Sequence, residues 1–409
     1  MIQLCDTNNC TGCGACFNKC PKHAISMVEN EEGFKNPKID IKLCVECGQC
    51  LSVCPQLSTN QLIYPQKVYA GWISDNTIRR DSASGGAFSA LALFVLRKKG
   101  LVFGAYMDNR HVVKHIKIDS ERDLSLLRDS KYVQSNTLDS FIVAKKYLDE
   151  NRYVLFTGTS CQIAGLMKFL NKQYNNLITV DIICHGVPSP KVFKDYIDWV
   201  KNKHEFSVIN KIRFRDKFVS NECSNCLIEG VDIWGKPKIL RESRMQNVWM
   251  QAFLRNYLIR PVCYDCKYVS SKRISDFTIA DWFGWDSNNY WEGNESQRGV
   301  SSIFCNTTKA CTLIKQLDLV LHEVSVEQGV KNKNELHYKC KRPDMREQFW
   351  FDYDYLSFEQ IVSKYFMPSK HPCYIIYNST HKHTFSTKLL VALLKILYKV
   401  KCKLIRNGK

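Results

Sequence analysis

Two runs of cysteine carry recognisable chemistry before any fold is considered. Cys10-x2-Cys13-x2-Cys16-x3-Cys20-Pro21 recurs as Cys44-x2-Cys47-x2-Cys50-x3-Cys54-Pro55. Three thiols two residues apart let a tight loop wrap one face of an iron–sulfur cubane, while the fourth begins a segment leading away. Where such a run occurs twice, the fourth thiolate crosses to the other cluster. Cys10, Cys13, Cys16 and Cys54 are therefore assigned to one 4Fe-4S cluster, and Cys44, Cys47, Cys50 and Cys20 to a second. Zinc also takes Cys-x2-Cys pairs, but the repeated Cys-Pro ending argues for clusters. Cys5 lies outside both runs and reads as an ordinary thiol.

The scaffold for these loops is small. Residues 25–28 and 33–39 read as two strands around a Glu-Glu-Gly turn, a hairpin covering the clusters. Gly12, Gly14 and Gly48 keep the loops tight and leave room for amide N–H bonds to sulfur. Residues 1–60 thus read as an α+β module of the two-cluster ferredoxin type, whose business is electron transfer.

The rest of the chain is larger and of another kind. After a polar linker near residues 57–65, residues 67–73 read as a buried strand, and a loop rich in small residues precedes an apolar helix over 88–97. Ser84, Gly85 and Gly86 open that helix. The loop fits either a phosphate cradle or a plain strand-to-helix turn. Further strands at 101–106, 151–161 and 177–185 alternate with helices, which predicts an α/β body with a largely parallel sheet. Ligands in such folds sit beyond the strand C-termini, where Cys161 and Cys184 fall. With Cys263 and Cys266 they make four thiols, enough for a third 4Fe-4S cluster. Inert buried thiols remain the plain reading of Cys161 and Cys184. Cys223 and Cys226 are a rival pair, or half of a zinc site with Cys263 and Cys266.

Composition narrows the classes. The 409 residues exceed one ordinary core, and 20 cysteines in short-spaced sets read as metal ligands and not as disulfides. Thiolate-held clusters want a reducing compartment and the N-terminus shows no secretory pattern, so a cytoplasmic protein is expected. No apolar run approaches the roughly 20 residues of a membrane span. The net charge of +18 is uneven: residues 1–60 carry five Lys or Arg against six Asp or Glu, whereas residues 360–409 carry ten against none. No zinc-finger or RNA-binding signature accompanies it, so nucleic acid is not expected as a partner.

Six segments together resemble the coenzyme F420 hydrogenase/dehydrogenase β-subunit family, in the version with a fused N-terminal ferredoxin module. They are Ser82-Ala-Ser-Gly-Gly-Ala-Phe88, Leu127-Arg-Asp-Ser-Lys-Tyr-Val-Gln-Ser135, Gly158-Thr-Ser-Cys-Gln-Ile-Ala-Gly165, Cys184-His-Gly-Val-Pro-Ser189, Cys263-Tyr-Asp-Cys266 and Ser275-Asp-Phe-Thr-Ile-Ala-Asp-Trp282. The resemblance runs from about residue 1 to 310. It divides the chain into the module (1–60), a region like the family's N-terminal part (66–150), one like its C-terminal part (151–310) and an extension (311–409).

The resemblance implies a flavoprotein, with FAD held against a 4Fe-4S cluster whose ligands are Cys161, Cys184, Cys263 and Cys266. It implies flavin contacts at Ser84, Gly85, Gly86, Lys131, Tyr132, Gln134 and Ser135. Lys131 would offset pyrophosphate charge and the glycine amides would hydrogen-bond it. His185 and Asp281 stand as candidates for moving a proton at the flavin. The turn before Cys161 reads Thr159-Ser160 where many relatives carry proline.

The expected activity is that of an oxidoreductase joining two-electron flavin chemistry to one-electron clusters. Its partners would be an electron donor or acceptor, protein or small redox cofactor, and a small-molecule substrate that the residues do not select. Relatives act on F420, on chlorophyll precursors or within bacterial polysaccharide gene clusters. The competing reading is a non-enzymatic electron-transfer subunit or adaptor. About 250 residues with flavin-family motifs exceed what a carrier needs. Residues 385–406 read as a helix with a broad apolar side and interspersed lysines. It would pack on the body or lie peripherally on the inner face of an anionic membrane.

Overall fold

A computed structural model describes residues 2–58, 61–218, 221, 225–282, 295–331 and 333–367. The expected helix at 385–406, and Cys223, lie outside the described residues. In the module, β1 (Ile25–Glu29) and β2 (Lys35–Ile39) pair antiparallel, with Ile25 opposite Ile39, as the alternation about the turn foretold. A short helix, α1 (Ala15–Lys19), follows the first cysteine loop.

The body is α/β, built on one eight-stranded sheet. Its strands are β3 (Lys67–Ile73), β4 (Leu101–Met107), β5 (Val113–Ile118), β6 (Val154–Thr159) and β7 (Leu177–Ile182). A separate antiparallel sheet holds β8 (Phe206–Asp216), β9 (Asn225–Asp232) and β10 (Pro237–Ser243). The large sheet is completed by β11 (Phe277–Asp281), β12 (Ser301–Cys305) and β13 (Leu319–Val324), in the order β13-β3-β12-β11-β7-β6-β4-β5.

Only the central four strands, β11-β7-β6-β4, run parallel. The expectation of a largely parallel sheet therefore gives way to a mixed one: β5, β12, β3 and β13 join antiparallel. The helix-by-strand alternation that signals parallel pairing stops after β7, and the later strands were not legible as members of the same sheet. β13 comes from the stretch that matched no motif, so the extension completes the sheet edge.

Both faces of the parallel centre are covered, which is why β6 reads as a continuous apolar run. Leu155 and Ile178 pack with α2 (Ala87–Arg97) in one core. Val154, Phe156 and Leu177 pack with Phe141 and with Ile163, Leu166 and Phe169 of α3 (Ser160–Leu170) in the other. A third core joins α4 (Pro190–Lys203), the β8–β9 sheet, α5 (Val248–Leu254) and Phe349 of α6 (Arg346–Tyr355). Among the described residues no helix is long and apolar enough to cross a membrane.

Candidate redox centres

The twice-repeated cysteine run folds into two adjoining hollows. One is lined by Cys10, Cys13, Cys16 and Cys54, with Cys5 and Cys50 at its edge; the other by Cys20, Cys44, Cys47 and Cys50. This is the crossed arrangement, in which the last thiol of each run serves the other loop. The hollows hold about 390 and 340 Å3 of empty space including their mouths. Amide hydrogens already point at sulfur: Gly12 N–H lies 3.3 Å from Cys10 Sγ and Ala24 N–H 3.3 Å from Cys20 Sγ. Burial pushes the Cys13 thiol up to about 12 and Cys16 higher still. Thiols so placed become ligands only beside a cation. Cys5, expected to be an ordinary thiol, stands beside Cys54 and Cys10, and burial with those neighbours pushes it up to about 12.

The first hollow faces the body. Thr137 Oγ1 donates to Cys13 O (2.9 Å), Gln134 Nε2 to Thr11 O (3.0 Å) and Asn18 Nδ2 to Leu138 O (2.8 Å). A Cβ on Gly165 of α3 would stand 2.9 Å from Cys13 Sγ, so only glycine lets the helix and the cysteine loop meet. On the other side of the hairpin turn, Arg346 holds Glu32 through two bonds of 2.7 and 2.6 Å. The extension thereby clamps the module to the body.

Behind this seam the four isolated body cysteines converge. Cys161 sits at the N-terminus of α3, Cys184 follows β7, and Cys263 and Cys266 bracket a short turn after α5. Burial and then Cys266 and Cys263 push Cys161 up to about 12, and burial followed by Cys263, Cys161 and Cys266 carries Cys184 well above the usual thiol range. Burial likewise pushes Cys263 up to about 12. Tyr268 is buried among thiols of both centres, its nearest influences being Cys161 and Cys13, then Cys266 and Cys54. The rival Cys226 is buried in the third core on β9, opposite Glu242 and away from this group. Among the described residues no three His, Cys, Asp or Glu side chains are set to hold a single ion; a cubane sets its ligands further apart, one at each corner.

One buried network positions Cys161. Asp181, 0% exposed at the end of β7, accepts from Ser160 Oγ (2.6 Å), Ser275 Oγ (2.7 Å), Thr278 Oγ1 (2.5 Å) and Arg273 Nη2 (2.5 Å). Every lone pair of the carboxylate is used, and Ser160, the residue before Cys161, is fixed by it.

The expected flavin residues separate into two groups. Gln134 and Ser135 turn to the module side and the sheet: Gln134 spans Thr11 and Arg260, and Ser135 Oγ meets His115 Nδ1 at 2.8 Å. The amides of Gly85 and Gly86 are taken by Ser301 Oγ (2.9 Å) and Ala83 O (3.2 Å), so the Ser-Gly-Gly loop is knit into the sheet edge and presents neither amide to a phosphate. Ser84 and Tyr132 stand by Asp281 and its partner Arg215, whereas Lys131 turns its ammonium to the carbonyls of Leu126 and Arg128. Arg215 grips Asp281 through bonds of 2.7 and 2.8 Å and lies 3.4 Å from Tyr132 OH. Burial opposes ionisation of Asp281, yet the adjacent guanidinium holds its carboxyl below the usual range, so it is charged at neutral pH. His185 packs its ring on Phe253, which also packs on Tyr132, and its Nε2 lies 2.7 Å from Asn256 Oδ1.

Around Ser84 and Tyr132 gather cations that the sequence reading passed over. Arg213, Arg215 and Lys217 alternate in sequence along and just past the end of β8, where the strand pairing is irregular. That spacing was the available signal. Arg213 pairs with Asp129 at 2.8 Å, while Lys217 reaches, among the described residues, the carbonyls of Arg79 (2.8 Å) and Ser84. Burial, then Arg79 and Arg215, push Lys217 down to about 7, and burial takes Lys131 to about 8. The buried Nε atoms of Arg128 and Arg215 have no partner among the described residues. Unpartnered guanidinium nitrogens beside two lysines with lowered values would suit an anionic group such as a pyrophosphate held by side chains and not by loop amides.

Crossed thiol loops docked onto an α/β body define an iron–sulfur electron-transfer protein. Residues 9–57 match the family described as 4Fe-4S dicluster domain, and residues 151–326 match the C terminus of the coenzyme F420 hydrogenase/dehydrogenase beta subunit. The chain therefore joins a dicluster domain to a β-subunit domain of that oxidoreductase family. One solved structure with a chain that this one partly resembles is the F420-reducing [NiFe] hydrogenase complex from Methanosarcina barkeri, in a xenon-derivatised form. It shows 14% identity over 68% of this chain and 93% of that one, with a TM-score of 0.42. No curated protein matches the chain.

Proposed function

We propose that this protein is an iron–sulfur flavoenzyme that passes electrons between a partner at the outer hollow and a small-molecule substrate at the basic cleft. The convergence of Cys161, Cys184, Cys263 and Cys266 beside Cys13 carries this reading. It supplies a third cluster site between the module and the body, where a carrier alone would need none. FAD, bound in the cleft, would supply the exchange between paired and single electrons.

The chain's own residues prepare each site. Lys131, Lys217 and Arg128 offer charge to a phosphate-bearing ligand, and Asp281 holds Arg215 in place beside Tyr132. The outer hollow is open, with Cys47 exposed and Ile41, Leu43 and Val45 presented around it. That apolar rim suits a redox partner protein, or a small carrier. His185, locked to Asn256, orients the turn after Cys184.

Anaerobic purification with iron, sulfide and flavin counts tests the reading. About twelve iron and one FAD per chain are expected from three four-iron clusters. About eight iron without flavin would leave a ferredoxin-type carrier on an α/β body.

A further inference from the structure

Two buried arginines flank the body thiols, and only one has a protein counter-charge. Arg273 is paired with Asp181 at 2.5 Å. Arg260, 1% exposed, donates from Nε to Cys10 O (2.6 Å), from Nη1 to Gln134 Oε1 (2.9 Å), and from Nη2 to Lys35 O (3.1 Å) and Asn36 Oδ1 (2.7 Å). Every one of these acceptors is neutral. Among the described residues no carboxylate forms an ion pair with it. A buried guanidinium is retained only where an anion compensates it, and here the side chains supply none.

Its position names the anion. The Arg260 carbonyl accepts from Cys263 N–H (2.9 Å) and its own N–H donates to Val187 O (3.0 Å) in the segment after Cys184, while the side chain caps the Cys10 loop. One residue thus touches three of the segments that carry the inner thiols. Gly12 makes the room: a Cβ there would stand 2.8 Å from Arg260 Nη1, at a φ of +67. None of the side-chain contacts is to the outer loop at residues 44–50.

We propose that Arg260 is the shared counter-charge of the inner module cluster and the body cluster, a positioning residue that raises both reduction potentials above that of the outer cluster. Adding an electron adds one negative charge, which a fixed guanidinium a short distance away stabilises in a water-poor seam. Electrons entering at the exposed outer hollow would then run inward. The inference rests on the three-cluster reading.

The test is an EPR-monitored redox titration of the full chain, prepared without air, as wild type, Arg260→Gln, Arg260→Lys and Gln134→Glu. Gln134→Glu sets a carboxylate where an amide oxygen now accepts from Nη1, and neutralises the charge while keeping that bond, at the loss of the Nε2 donor to Thr11 O. In Gln134→Glu and Arg260→Gln the reduced-to-oxidised ratio of both inner clusters at a fixed potential should fall about tenfold, 59 mV for one electron. The outer cluster should hold its midpoint, and Arg260→Lys should keep more of the wild-type value than Arg260→Gln. Unmoved inner midpoints in Gln134→Glu, equal shifts at every cluster, or loss of inner iron under all three substitutions would overturn the proposal. A wild-type count of about eight iron would instead remove the body cluster, and the inner module cluster alone would then decide the role of Arg260.

Discussion

The two cysteine runs of the module are near-copies in sequence and opposites in setting. The loop of Cys10 and Cys13 lies against α3 and the segment at residues 134–138, with both thiols buried. The loop of Cys44 and Cys47 stands at the surface, with Cys47 exposed and three aliphatic side chains around it open to solvent. The same ligand spacing therefore yields one loop docked against the body and one left at the surface, available to a partner. Cluster chemistry is local; the direction in which electrons can travel is set by what covers each loop.

The largest effect expected from breaking this contrast is at the network under the seam. Asp181→Asn would leave Arg273 buried without its counter-charge, at a cost of about 3–5 kcal/mol, to be read as a fall in the denaturation midpoint. The body site beside Ser160 should lose iron with it, while the outer cluster stays. Retention of wild-type stability would show that the seam does not depend on this pair.

Gly165→Val should come next, at about 1–3 kcal/mol, because the new Cβ would meet Cys13 Sγ at 2.9 Å. Its spectroscopic signature should be confined to the inner cluster. A variant that changes both clusters alike would mean that the module moves as one body and that the contrast between its halves is smaller than the packing indicates.

A chelator under mildly oxidising conditions should strip the outer cluster first, since Cys47 is the one exposed thiol among the eight module ligands. Loss of both clusters at one rate would break the comparison outright.

The basic cleft gives the mildest effect, one of pH. Burial holds Lys217 at about 7, below the ordinary lysine value, so the side chain is charged below that pH and neutral above it. Binding of FAD, or of pyrophosphate as a probe, should be strongest below about pH 7 and weaken by at most tenfold per unit above it, until the value in the complex is passed. Lys217→Met should flatten that profile; an unchanged profile would take Lys217 out of the binding site.

Much of the redox apparatus was legible before folding because cluster ligation is written in short spacing. The crossed hollows follow from Cys20 and Cys54 each leading away from its own loop. The four body thiols were readable as one possible set from strand ends and a Cys-x2-Cys pair, and the resemblance favoured that set over inert thiols or zinc, because they come from three segments far apart in the chain. The Ser-Gly-Gly loop shows the reverse failure: its composition suits a phosphate cradle equally well, and only Ser301, brought alongside by the pairing of β12 with β3, takes up the Gly85 amide.

Sequence by itself determined the cluster type, the ligand crossing and the α/β class, since these rest on local spacing and on which faces of a strand are apolar. Tertiary structure alone decided which cluster is inner and which is outer. It also made Arg260 a charge without a partner, Asp181 the hub of a buried network, and the unmotifed extension a sheet edge and a clamp. Those features depend on residues distant in the chain meeting in a medium without water, where one missing counter-charge or one added methyl group decides the outcome.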